Sequence, residues 1–130
     1  MNPKEFMDQL NKAQKLMNLE KYKEAIVILD KLKEIEKNSD YNFNYGLIHT
    51  LYQLDSNCRS NYNQEIILTY IKKISNKQKL ISLQELNQII KKNEELDMDE
   101  DILRREVELL ILRNLLTGTI KNDSIIIKSS

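Results

Sequence analysis

Apolar residues recur at spacings of three and four along most of this chain, the periodicity of helices that bury one face. The opening Asn2-Pro3-Lys4-Glu5 sets a capping residue before a proline at the first helical position, with Glu5 where the helix dipole favours an acid. Phe6, Leu10, Ala13, Leu16 and Met17 then form a stripe, predicting a helix from Pro3 to Asn18. After a break at Leu19-Glu20, the positions Tyr22, Ala25, Ile26, Ile28, Leu29, Leu32 and Ile35 predict a second helix over Lys21 to Lys37. Its outer face alternates Lys and Glu and reads as solvated surface. Asn38-Ser39-Asp40 is the next break, with Ser39 or Asp40 as a cap. A third helix is expected over Tyr41 to Leu54, with Tyr41, Phe43, Tyr45 and Tyr52 as core aromatics and Gly46 unexplained inside it. The polar stretch Asp55 to Asn61 reads as a linker, and a fourth helix over Tyr62 to Ser75 buries Ile66, Ile67, Tyr70, Ile71 and Ile74. This divides the chain into a helical region 1–60 and a second region 61–130, together forming one continuous domain.

Beyond Lys79 the pattern changes. The pulse Leu80-Ile81 precedes Ser82-Leu83-Gln84-Glu85, a capping box that opens a short helix from Leu83 to about Lys92. Asp99-Glu100-Asp101 is a second cap with an acidic first turn, opening a strongly apolar helix from Glu100 to about Arg113. Helix capping accounts for the acidic run Glu94 to Asp101, which lacks the alternating oxygen ligands and the glycine of a calcium loop. Two β-branched pulses, Leu116 to Ile120 and Ser124 to Ile127, flank Lys121-Asn122-Asp123 and predict a hairpin.

Composition narrows the functional classes. With 130 residues, 41% hydrophobic and 31% charged, the chain has the size and make-up of a globular domain. Two Gly, one Pro and no Trp argue against a sandwich, a barrel or a Gly-rich phosphate-binding fold. Twenty Lys+Arg balance twenty Asp+Glu, so no global field draws the protein to nucleic acid or an anionic membrane. One cysteine (Cys58) and one histidine (His49) give no basis for a structural zinc site, a disulfide framework or a Cys-His nucleophile pair. No constellation of nucleophile, base and orienting group can be assembled, so no enzyme, cofactor or metal is expected. The absence of a signal-like start or of an apolar run near the ~18 residues of a membrane span implies a cytoplasmic protein.

The order helix, short strand, helix, turn, helix, hairpin is that of a winged helix. The run Leu110-Ile111-Leu112-Arg113-Asn114-Leu115-Leu116-Thr117-Gly118-Thr119-Ile120 resembles the end of the winged helix of PCI domains, found in scaffold subunits of the proteasome lid, the signalosome and a translation initiation factor. Asn114 stands where that family has a helix-ending Gly, and Asn is the next best residue for a left-handed C′ position. Lys121 replaces the family's usual Asp. The same run is similar to the winged helix of DDRGK-type adaptors of ubiquitin-like modification, although the Asp-Asp-Arg-Gly-Lys signature is absent. Ala13, Leu16, Tyr22, Ala25, Leu29 and Leu32 resemble the small and large positions of a tetratricopeptide hairpin. These resemblances imply a mainly α fold with a small β wing, a tetratricopeptide-like hairpin followed by a C-terminal winged helix. They imply a non-catalytic scaffold or adaptor that joins protein partners, as a homo- or hetero-oligomer, in a ubiquitin-like or proteasome-related context.

The helix Glu100 to Arg113 carries more apolar residues than one buried stripe requires. Ile102, Leu109, Leu112 and Leu116, with Ile125 and Ile127 of the hairpin, are therefore candidates for a protein interface. The alternative is a winged-helix nucleic-acid binder using Lys72, Lys73, Lys77, Lys79, Arg104 and Arg105. Against it, Glu100, Asp101, Glu106 and Glu108 outnumber the three arginines on the helix that would approach phosphate, and Glu94, Glu95, Asp97 and Asp99 precede it.

Overall fold

The computed structural model describes residues 1–38, 43–94, 96 and 98–128. The chain is mainly helical with a small antiparallel sheet near its C-terminus, and it divides into two compact units, Met1–Tyr62 and Asn63–Ser130.

The first unit begins with α1 (Pro3–Asn18), where the Asn2 side chain accepts the Glu5 N–H at 2.8 Å as the cap requires. Its end uses a device the sequence does not advertise. Glu20 takes φ 60°, the Lys21 N–H reaches the Leu16 carbonyl and the Glu20 N–H reaches that of Met17, a Schellman motif built without glycine. The chain reverses into α2 (Tyr22–Asn38), which packs along α1. Phe6, Leu10, Ala13, Ala25, Leu29 and Leu32 are buried between them with Phe43, Leu51 and Cys58. The Phe6 and Phe43 rings lie 4.6 Å apart.

The third helix corrects the sequence reading. Ser39, Asp40 and Tyr41 lie outside the described residues, and α3 runs without interruption from Tyr45 to Ser75. Asn44 caps it, accepting the Gly46 N–H at 2.6 Å. Gly46 is therefore a first-turn residue, and a Cβ there would crowd the capping oxygen at 3.1 Å. The stretch Asp55 to Asn61 is helix rather than linker because Asp55 and Cys58 are used inward and because it holds no Gly or Pro. Asp55 is only 8% exposed and takes Lys33 Nζ of α2 at 3.0 Å and Arg59 Nε, one turn on, at 3.0 Å. Arg59 also reaches Asp30, and Cys58 is fully buried. The boundary between the units falls inside α3.

In the second unit, the later half of α3 buries Gln64, Ile66, Ile67 and Ile71. Strand β1 (Leu80–Ser82) leads into α4 (Leu83–Asn93), with Ser82 Oγ accepting the Glu85 N–H at 3.0 Å. Helix α5 (Glu100–Leu112) and the hairpin of β2 (Gly118–Lys121) and β3 (Ser124–Ile127) complete it. The sheet order is β1-β3-β2, both pairings antiparallel, with Ile81 opposite Ile125 and Ile120 opposite Ile125 on the other side. The two-residue turn at Asn122-Asp123 has Asn122 at φ 58°, a value Asn tolerates and a primed hairpin turn requires. The Leu83 N–H donates to the Asp123 carbonyl, tying the hairpin tip to the start of α4.

Two measurements test the first unit. Asp55→Ala removes the buried carboxylate that Lys33 and Arg59 share, leaving them the more exposed Asp30, and should lower the unfolding free energy by roughly 1–3 kcal/mol, read as a reduced urea midpoint; an unchanged midpoint would refute the inward role of Asp55. Burial, helped by the Asp55 charge and partly opposed by Arg59, pushes the Cys58 thiol up from its ordinary 9.0 to about 11. Native protein at pH 8 should thus resist alkylation that proceeds readily in urea. Because the unfolded thiol ionises first, the stability that Cys58 contributes is complete below pH 9 and lost as pH rises towards 11.

Candidate functional site

Helix α5 is set by its cap. Asp99 accepts the Ile102 N–H at 2.8 Å, and Glu100 and Asp101 occupy the first turn, where the dipole favours them. At the other end Asn114 takes φ 60°, its N–H bonds the Ile111 carbonyl and the Leu115 N–H bonds that of Leu110. The left-handed C′ residue expected at Asn114 is in place, and it closes a second Schellman motif.

The surplus of apolar residues on α5 resolves into faces. Leu103, Val107 and Leu110 are fully buried, Ile102, Leu109 and Ile111 are half-buried at the flanks, and Leu112 is 76% exposed. Leu115, just past the helix, is 49% exposed. Of the six residues expected to form an interface, the structure leaves Leu112 open and Ile102 and Leu109 partly so. Leu116, Ile125 and Ile127 are buried and belong to the core. The reason lies in strand parity: Ile125 and Ile127 share the inner face of β3, and only Ile126 between them points outward. Sequence reasoning missed the outward row, in which Ile126 stands between Leu80, 59% exposed, and the exposed Thr119.

An open groove of about 450 Å³ runs between α5 and β2, lined by Arg104, Glu108, Ile111, Leu112, Gly118, Thr119 and Ile120. Its floor is apolar, and its charged rim is already paired: Arg104 meets Glu108 at 3.4 Å and Asp123 of the hairpin tip at 3.3 Å. Gly118 is required where it stands, since a Cβ would collide with the Ile126 carbonyl oxygen across the ladder. A second pocket, of about 300 Å³ in the first unit, is lined by Gln14, Asn18, Asn57, Ser60 and Asn61 with Met17 and Leu54, and no charged side chain faces it.

Glu106 differs from its expected place on an acidic surface. It is fully buried, accepts Gln64 Nε2 of α3 at 3.3 Å and lies 3.4 Å from Arg105 Nε, while Arg113 donates to Gln64 Oε1. These polar groups lock α5 onto α3 within the second unit. Glu95 and Asp97 of the acidic turn lie outside the described residues; Glu94 accepts the Tyr70 hydroxyl at 3.1 Å. Of the basic residues, Lys72, Lys73, Lys77 and Lys79 are exposed at the end of α3 and in the turn after it, with Lys73 Nζ 5.2 Å from the Tyr70 ring centre. Arg104 and Arg105 sit apart from them in the chain, each against carboxylates of its own. His49 is exposed on α3. Among the described residues, no three His, Cys, Asp or Glu side chains gather in a metal-holding group, and no helix is long and apolar enough to cross a membrane.

Comparison with protein-family models, with curated proteins and with solved structures gives no match for this chain.

Replacing Glu106 by Ala should lower the unfolding free energy by roughly 2–4 kcal/mol, because Gln64 loses a buried partner and a cavity opens beside it. Equilibrium denaturation reads this directly, and a loss under 0.5 kcal/mol, as for an ordinary surface residue, would contradict the locking role.

Proposed function

We propose that this chain is a non-catalytic protein-interaction module, a scaffold or adaptor of the PCI and winged-helix kind, that engages protein partners through the α5–β2 surface. The order of elements in the second unit and the pairing of β1 with β3 support the winged-helix reading. The close α1–α2 pair, with Ala13 and Ala25 buried between larger side chains, supports a tetratricopeptide-like hairpin before it. The single observation carrying the function is Leu112. Its side chain, 76% exposed, adjoins a groove floored by Ile111 and Ile120, and together they make a continuous open apolar surface of the kind that a protein partner covers. A ubiquitin-like or proteasome-related assembly is the setting that the resemblance of the Leu110 to Ile120 run suggests. The rival reading, a nucleic-acid binder, draws less support because Arg104 and Arg105 are engaged by Glu108, Asp123 and Glu106.

A photo-crosslinking amino acid at position 112 tests the proposal in cells that make the protein. Protein adducts should form there well above those from the same probe at exposed His49, and the adducted protein should no longer co-purify with a Leu112→Lys chain. Equal adduct yields at 112 and 49 would end the reading. A shift of duplex DNA at low salt, lost on replacing Arg104 and Arg105, would favour the nucleic-acid alternative instead.

A further inference from the structure

The order β1-β3-β2 leaves β2 with one unpaired edge, and the hydrogen-bond parity identifies which groups stand on it. In a hairpin with a two-residue turn, the closing pair Lys121 and Ser124 exchanges its backbone bonds. Two residues back, Thr119 and Ile126 do the same, and the Lys128 N–H bonds the Thr117 carbonyl at 2.9 Å in the same phase. The N–H and C=O groups of Gly118 and Ile120 therefore point away from β3, along the edge that borders the groove.

We infer that this edge pairs antiparallel with β2 of a second copy of the chain, about a two-fold axis passing between their Thr119 residues. The inference rests on the reading of the α5–β2 surface as an interaction face and names its occupant. Self-pairing follows from how the strand complements itself. Centred on Thr119, the register sets each Gly118 opposite the other copy's Ile120, so both outward-facing residues of each strand are used and four backbone hydrogen bonds form. Centring on Gly118 would instead draw Leu116, outside the strand, into the ladder, and centring on Ile120 would draw in Asn122 of the turn. On the face towards α5, the incoming Ile120 enters the groove and covers Ile111 and Leu112. Charge agrees with this register. Lys121 is the strand's one ionisable residue, and the pairing sets it opposite Thr117 of the other copy, away from the second lysine. So short a ladder with two apolar contacts makes a small interface, and association in the micromolar range or weaker is expected.

Thr119→Cys tests the register. Facing residues of a non-hydrogen-bonded antiparallel pair have Cα atoms about 4.5 Å apart, within the ~4.4–6.8 Å that a disulfide spans. Thr119 is exposed, and Cys58 is buried and gives no background. Full-length Thr119→Cys should form a disulfide-linked dimer under mild oxidation. Lys121→Cys, also exposed but about 14 Å from its counterpart in this register, should not. The average mass of the wild-type chain in sedimentation should rise with concentration, and Leu112→Lys should suppress that rise. Monomeric Thr119→Cys whose thiol still reacts freely with a soluble reagent would overturn the inference, as would Lys121→Cys cross-linking just as fast. If photo-adducts at position 112 to a different protein persist in that case, the interaction module stands and the second copy does not; if neither forms, both readings fall.

Discussion

The pairing of β3 with a strand on each side is the constraint from which the C-terminal half takes its form. Ile125 is opposite Ile81 on one side and Ile120 on the other, so a single row of three isoleucines crosses the sheet on its inner face. Once that row is buried, the period of two leaves no freedom. Ile127 must also face in, Ile126 must face out, and Gly118 must lack a side chain where the Ile126 carbonyl comes close. The hairpin tip then meets the start of α4 through the Asp123 carbonyl, and Arg104 of α5 closes on the Asp123 side chain. A one-residue slip would send Ile125 and Ile127 to solvent and undo all of these contacts together.

Much of this was legible in the sequence because it is local. The caps at Asn2, Ser82 and Asp99, the left-handed Asn114 and the turn at Asn122-Asp123 depend on residues within a few positions of one another, and each forms as its chemistry requires. What the sequence hides depends on partners far along the chain. Asp55 looks like part of a linker because its neighbours are polar, yet it is buried by Lys33, twenty-two residues away, and by Arg59. Glu106 looks like one more surface acid on a charged helix until Gln64, forty-two residues away, meets it. Three of the six interface candidates, Leu116, Ile125 and Ile127, are buried for a related reason. Periodicity names a helix's apolar residues but not which of them another element covers, so Leu110 and Leu112 look alike in sequence and differ in exposure from 0% to 76%.

Electrostatics sharpens the contrast between the two functional readings. The formal net charge of zero is a bulk figure, and what decides nucleic-acid binding is whether cations are free to meet phosphate. Arg104 lies between Glu108 and Asp123, and Arg105 lies against Glu106. Recruiting either to a phosphate means giving up a carboxylate already in contact, so the gain from counterion release is partly offset before any base is approached. The exposed lysines at the end of α3 carry no such cost, but they lie on a different element from α5, the helix that a winged-helix reader would insert.

Those pairings also define what the α5–β2 surface can accept. A groove whose charged rim is internally neutralised and whose floor is Ile111, Leu112 and Ile120 gives little to a highly charged ligand and much to an apolar side chain presented on extended backbone. Natural sheets guard an open edge by keeping it short or placing lysine on it, and β2 does both, being four residues long with Lys121 at one end. That protection does not extend to its centre. The edge-facing Gly118 and Ile120 carry no charge, and the exposed Leu112 lies beside them rather than being replaced by a polar residue. An edge protected at its end and open at its middle admits a strand in one register while discouraging the indefinite stacking that a long bare edge would invite, which is the property a closed, two-fold assembly needs.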